Sequence, residues 1–141
     1  MLNKVILLAE DDLLLRGIMK ELLENDYIVE VANDAKETLE KLRQLKKLDL
    51  IVLDIMMPLA GAFDDSEGGM NAGIRILEFI RAESSPERLR KLPVLCYTVR
   101  ASENKIRTRL EELGVSSIIA KGDQTPEEII AEIKKLTKDI D

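Results

Sequence analysis

Strand-length apolar runs and helix-length amphipathic stretches alternate five times along this chain, and that alternation restricts its folds more than any other feature. Lys4–Ala9 reads as a first strand, followed by a helix over about 13–24 with Leu15, Ile18, Met19, Leu22 and Leu23 on one face. Tyr27–Ala32 is a shorter second strand, and Asp34 with Glu37 forms a capping-box pattern that opens the second helix. Leu48–Leu53 is the third strand. Beyond an irregular segment, Asn71 is expected to cap a helix carrying Ile74, Leu77, Phe79 and Ile80, which "SSPERLRKLP" closes. Val94–Tyr97 is the fourth strand. Ser102 is expected to cap a fourth helix with Ile106, Leu110 and Leu113 inward, and Gly114 suits a left-handed C-terminal cap. Ser117–Ala120 is the fifth strand, and Thr125, Pro126 and Glu128 start a fifth helix whose stripe is Ile129, Ile130, Ile133 and Leu136. Strands joined through helices require right-handed crossovers, so an α/β fold is expected: a doubly wound, five-stranded parallel sheet with helices on both faces.

A chain of 141 residues suits a single domain, 1–141, with a core that needs neither disulfide nor structural metal. The net charge of −6 disfavours nonspecific attraction to nucleic acid and anionic membranes, and no apolar run approaches bilayer length. A lone cysteine, Cys96, builds neither an intrachain disulfide nor a thiolate metal site, which points to the cytoplasm. There is no histidine, so His-based general base catalysis, His-ligated zinc and an internal phosphohistidine relay are excluded. Any chemistry must run on carboxylates, hydroxyls and lysine.

In doubly wound sheets, functional groups collect at the carboxyl ends of the strands. Here strand one ends in Glu10, Asp11 and Asp12, strand three in Asp54, strand four in Thr98 and strand five in Lys121. Taken singly, each is an ordinary cap or turn residue, and Asp12 is expected to be one. Together, carboxylates converging from two strands would repel without a cation. A set of oxygen donors without histidine or cysteine favours Mg²⁺, with Mn²⁺ as the alternative, and both ions commonly bridge to phosphate. An aspartate can attack phosphorus to give an acyl phosphate when the transferring group's charge is neutralised by metal and Lys121, and Thr98 can donate to the same group.

The segments "ILLAEDD", "IVLDIMMP", "VLCYT" and "IIAK" resemble the four signature segments of response-regulator receiver domains, across nearly the whole chain. The resemblance implies a flavodoxin-like sheet of order 2-1-3-4-5. It also implies Asp54 as phosphoacceptor, Glu10, Asp11 and Asp54 with the Met56 carbonyl as Mg²⁺ ligands, Thr98 as switch hydroxyl and Lys121 as phosphoryl contact. The phosphodonor would be a histidine kinase or phosphotransfer protein. A downstream partner would read the surface of the fourth helix, fifth strand and fifth helix, and that surface or an exposed edge could also support a homodimer. A signalling domain rather than an enzyme is implied, with no direct nucleic-acid binding and no output domain after the last helix.

Some positions depart from the pattern. The segment 58–70, "PLAGAFDDSEGGM", is longer than usual and reads as a solvated loop or, through Phe63, Asp64, Asp65 and Glu67, as a lid over the acid pocket. Ile118 stands where an aromatic often accompanies the switch hydroxyl, Val99 stands where a small residue is usual, and Gly122 replaces a common proline. These departures keep open a receiver-like interaction or dimerisation module acting without phosphorylation. An aspartyl-phosphate hydrolase is disfavoured because Met56 occupies the position of that class's second aspartate.

Overall fold

The computed structural model describes residues 2–63 and 68–138. Asp64, Asp65 and Glu67 of the expected lid lie outside the described residues. The elements run β1 (Val5–Ala9), α1 (Leu13–Leu23), β2 (Ile28–Ala32), α2 (Ala35–Gln44), β3 (Leu50–Leu53), α3 (Ala72–Arg81), α4 (Glu87–Arg90), β4 (Val94–Thr98), α5 (Asn104–Glu112), β5 (Ser117–Ala120) and α6 (Pro126–Thr137). The sheet is five-stranded and parallel in the order β2-β1-β3-β4-β5. This is the expected doubly wound, flavodoxin-like architecture.

Period-two alternation divides the core into two layers. Leu7, Ile51, Leu53, Val94 and Cys96 face α2, α3 and α5 on one side of the sheet. Ile6, Leu8, Leu50, Val52, Leu95 and Tyr97 face α1 and α6 on the other. Central strands covered on both faces read as unbroken apolar runs, which is why β1, β3 and β4 are buried throughout.

Several local expectations need correction. "SSPERLRKLP" contains a short helix of its own, α4, which buries Leu89. The helices read as fourth and fifth from the sequence are therefore α5 and α6. Ser102 is exposed and does not cap α5; Glu103 takes that position without a side-chain bond. Asn71 precedes α3 but makes no capping bond, because its side-chain oxygen accepts from Arg100. In α3 the fully buried stripe is Ile76, Leu77 and Ile80, while Ile74 and Phe79 are half-buried. Ile18 is exposed on α1, whose buried residues are Met19 and Leu23.

Other local expectations hold. Asp12 caps α1 by accepting from Leu15 N, Asp34 accepts from Glu37 N, and Thr125 with Glu128 forms a complete capping box. Gly114 has φ +70°, a left-handed value that a side chain would oppose, and ends α5 as expected. No helix among the described residues is long and apolar enough to cross a membrane.

Candidate functional site

Parallel strands end their side chains along one edge of the sheet, and the register carries β1, β3, β4 and β5 to that edge together. There Glu10, Asp11 and Asp54 each offer a carboxylate oxygen, all within 4.8 Å of one another. Glu10 and Asp54 are only 3% and 5% exposed, whereas Asp11 faces solvent. Lys121 reaches over from the end of β5, placing Nζ 2.7 Å from Asp54 Oδ2 and 2.8 Å from Glu10 Oε1. Its ammonium bridges the two buried carboxylates.

Backbone donors complete the cradle. Met56 N donates to Asp54 Oδ1 at 3.2 Å, and Asp12 N donates to Glu10 Oε2 at 3.0 Å. Burial raises the pKa of Asp54, opposed by the Lys121 hydrogen bond and charge and by the Met56 amide; Asp11 adds a smaller push upward. Glu10 is likewise raised by burial, against the Lys121 and Asp12 hydrogen bonds. Lys121 feels burial as a downward pull, yet its bonds to Asp54 and Glu10 leave its pKa raised. Two buried acids beside one base suit a site whose charge is completed by a further cation. Three oxygen donors at this spacing fit Mg²⁺, which accepts a small number of carboxylates and keeps water on its remaining positions.

Thr98 is fully buried at the end of β4. Its Oγ1 accepts from Arg100 N at 3.1 Å, and its carbonyl accepts from Lys121 N at 3.0 Å. Among the described residues, no hydrogen bond joins Thr98 to the carboxylates, and Thr98 Oγ1 acts only as an acceptor, from Arg100 N. Met56 lines a shallow depression beside the carboxylates with Asp11, Met57, Pro58, Gly69 and Met70.

The approach to this depression is set by the segment after Pro58. Its described part is less solvated than a bare loop: Leu59 is buried, and Ala62 and Phe63 pack against the core. Arg75 stacks its guanidinium over the Phe63 ring at 4.8 Å. The Met57 N–H donates to Gly69 O, which closes the base of the excursion. Val99 is 65% exposed, and Ile118 is half-buried against the α2, α3 and α5 side of the core. No cis peptide occurs among the described residues.

Residue patterns missed three contributors. Arg16 Nη1 donates to Glu10 O at 2.9 Å, one turn into α1. Tyr97, on the opposite face of β4 from Thr98, lies with its ring centroid 5.5 Å from Lys121 Nζ, near enough for a cation–π contact. Arg100 uses its guanidinium to join two loops. Spacing flags none of them, because each contact depends on how the loops fold back.

Comparison with known proteins bears on the fold and the family. The family model described as response regulator receiver domain matches residues 6–134. The transcriptional regulatory protein CpxR homolog of Haemophilus influenzae is 33% identical over 134 residues, covering 94% of this chain and 50% of that protein. The chain spans half or less of the length of the curated relatives it matches. Among solved structures, the non-phosphorylated HemR receiver domain of Leptospira biflexa superposes with a TM-score of 0.75 at 31% identity, covering 96% of this chain and 94% of that one. The response regulator TrrA of Thermotoga maritima, solved in complex with Mg²⁺-BeF, has a TM-score of 0.68 at 24% identity, covering 95% and 99%. With its fold and nearly its full length accounted for, this chain belongs to the response regulator receiver domain family.

Proposed function

We propose that this receiver is a phosphorylatable switch in which Asp54 accepts a phosphoryl group from a histidine kinase or phosphotransfer protein in the cytoplasm. The observation that carries the reading is the Lys121 ammonium held between Asp54 and Glu10, with Asp11 completing an all-oxygen cluster. A buried strand-end carboxylate is a positioned nucleophile when a cation offsets the charge it meets.

In the transfer, an Asp54 carboxylate oxygen forms a bond to phosphorus as the donor's P–N bond breaks. The bonding pair returns to the donor imidazole, which takes up a proton. Lys121 neutralises phosphoryl charge, and Thr98 donates its hydroxyl proton to a phosphoryl oxygen. Glu10, Asp11 and Asp54, with the Met56 carbonyl, would hold Mg²⁺, which supplies the remaining positive charge; Mn²⁺ suits the same donors. The added charge of roughly −1.5 to −2 then biases the domain between two conformations, read by a downstream protein or a second copy on the α5, β5 and α6 surface. The lone Cys96 is buried, with burial pushing its thiol up to about 12, in keeping with an unreactive thiol in a reducing compartment.

An intact-mass time course with acetyl phosphate, with and without Mg²⁺, tests this on the native chain and on Asp54→Asn. One added phosphoryl group that requires the metal and disappears in the variant is expected. Absence of modification, under conditions where another receiver reacts, sinks the reading and leaves a phosphorylation-independent interaction module.

A further inference from the structure

Arg100 holds together the two loops that flank Asp54. Its backbone N–H donates to Thr98 Oγ1 at 3.1 Å. Its Nη1 donates to Met70 O at 2.7 Å and to Asn71 Oδ1 at 2.8 Å, while Nε and Nη2 are held by the Glu103 carboxylate at 2.9 and 3.1 Å. The side chain is only 14% exposed, unlike an ordinary surface arginine. Asn71 gives up capping α3 to receive it.

The two ends of this clamp differ in their freedom to move. On the α3 side, Gly73 N donates to Ile55 O at 2.8 Å, and a Cβ at Gly73 would lie 2.5 Å from Asp54 O and 2.6 Å from Ile55 Cα. The start of α3 is therefore seated on the backbone of the Asp54 turn and has no room to shift toward it. On the β4 side, Thr98 Oγ1 makes no hydrogen bond to the carboxylates among the described residues, and a shift of that oxygen toward a group on Asp54 would carry with it the Arg100 N–H bonded to it. A loop that moves cannot keep both guanidinium bonds to a post that stays.

Building on the acceptor role of Asp54, we propose that Arg100 is a positioning residue that latches the β4–α5 loop to Met70 and Asn71, holding Thr98 in its unphosphorylated arrangement. Release of this latch accompanies phosphorylation. Removing the side chain then favours the phosphorylated conformation without touching the acceptor.

The test compares native protein, Arg100→Ala, Arg100→Lys and Asn71→Ala. Each is titrated with beryllofluoride and Mg²⁺ by amide resonances, and amide exchange is measured in the metal-free protein. Arg100→Ala is expected to bind beryllofluoride roughly five- to tenfold more tightly, a modest coupling. Arg100→Lys should fall between it and native, and exchange at 70–73 should rise in the metal-free variant. Combining Arg100→Ala with Asn71→Ala should add less than the two separate effects. Beryllofluoride affinity within twofold of native, or weaker, overturns the latch. Should native protein take up neither beryllofluoride nor phosphoryl group, the acceptor reading fails separately; raised exchange at 70–73 in Arg100→Ala would still support the clamp and unchanged exchange would overturn it.

Discussion

Two buried carboxylates share one ammonium and a third carboxylate, Asp11, lies at their edge, so the site is short of positive charge. That imbalance has a measurable consequence for Asp54. Its folded-state pKa is raised by burial despite Lys121, so protonation favours the folded protein. The contribution is fully present below the unfolded-state value of roughly 4 and is lost as pH rises through the folded-state value. Asp54→Asn, which mimics the neutral acid, should accordingly raise the unfolding midpoint at neutral pH in metal-free buffer. The gain is expected to be a few degrees, at roughly 3–5 °C per kcal/mol for a domain of this size. It should shrink as pH approaches 4, and a gain that is absent at pH 7 or unchanged by acid would contradict the charge argument. Glu10→Gln should behave similarly, since burial also raises Glu10.

Among the elements, legibility follows how local the signal is. Asp12 and Thr125 cap helices through residues three positions away, and the pattern that announces them lies inside the same turn. Ser102 and Asn71 match the same composition, yet a tertiary partner or a shifted boundary decides their roles. Arg88 Nη1 supports the end of α2 by donating to Leu42 O and Leu45 O, and Arg81 donates to Leu113 O and Gly114 O beyond α5; both reach across more than thirty positions of chain and leave no periodic trace. The acid pair, Asp54, Thr98 and Lys121 were readable because each directly follows or ends a strand that a parallel sheet must align. Arg100 was not, because its partners lie on a loop whose return path no periodicity encodes.

The return path itself hinges on Gly73, where α3 meets the Asp54 turn. Gly73→Ala would force its Cβ against Asp54 O and Ile55 Cα. Backbone on both sides leaves little room to relax, and a cost of roughly 1–3 kcal/mol is expected by analogy with overpacked cores. Denaturant unfolding would measure it. A loss below about 0.5 kcal/mol, the range of ordinary surface changes, would mean α3 is not seated there as described.

For the molecule as a whole, the two core layers anchor every strand, while the polar edge gathers charge that the core does not compensate. Stability and ligand binding are thereby linked: a cation that binds only the folded cluster adds RT ln(1 + [L]/Kd) to the free energy of unfolding. At a free Mg²⁺ concentration a hundredfold above Kd, the gain is about 2.7 kcal/mol, and the unfolding midpoint should rise by on the order of 10 °C at this size. Asp11 is exposed and makes no side-chain hydrogen bond or ion pair among the described residues, so Asp11→Asn should leave the metal-free midpoint near native while removing most of the Mg²⁺ dependence. A thermal titration of both proteins distinguishes the outcomes. Equal responses would place the ion elsewhere, whereas a response confined to native protein would tie the folded cluster, through its unbalanced charge, to the metal that the proposed phosphoryl transfer calls for.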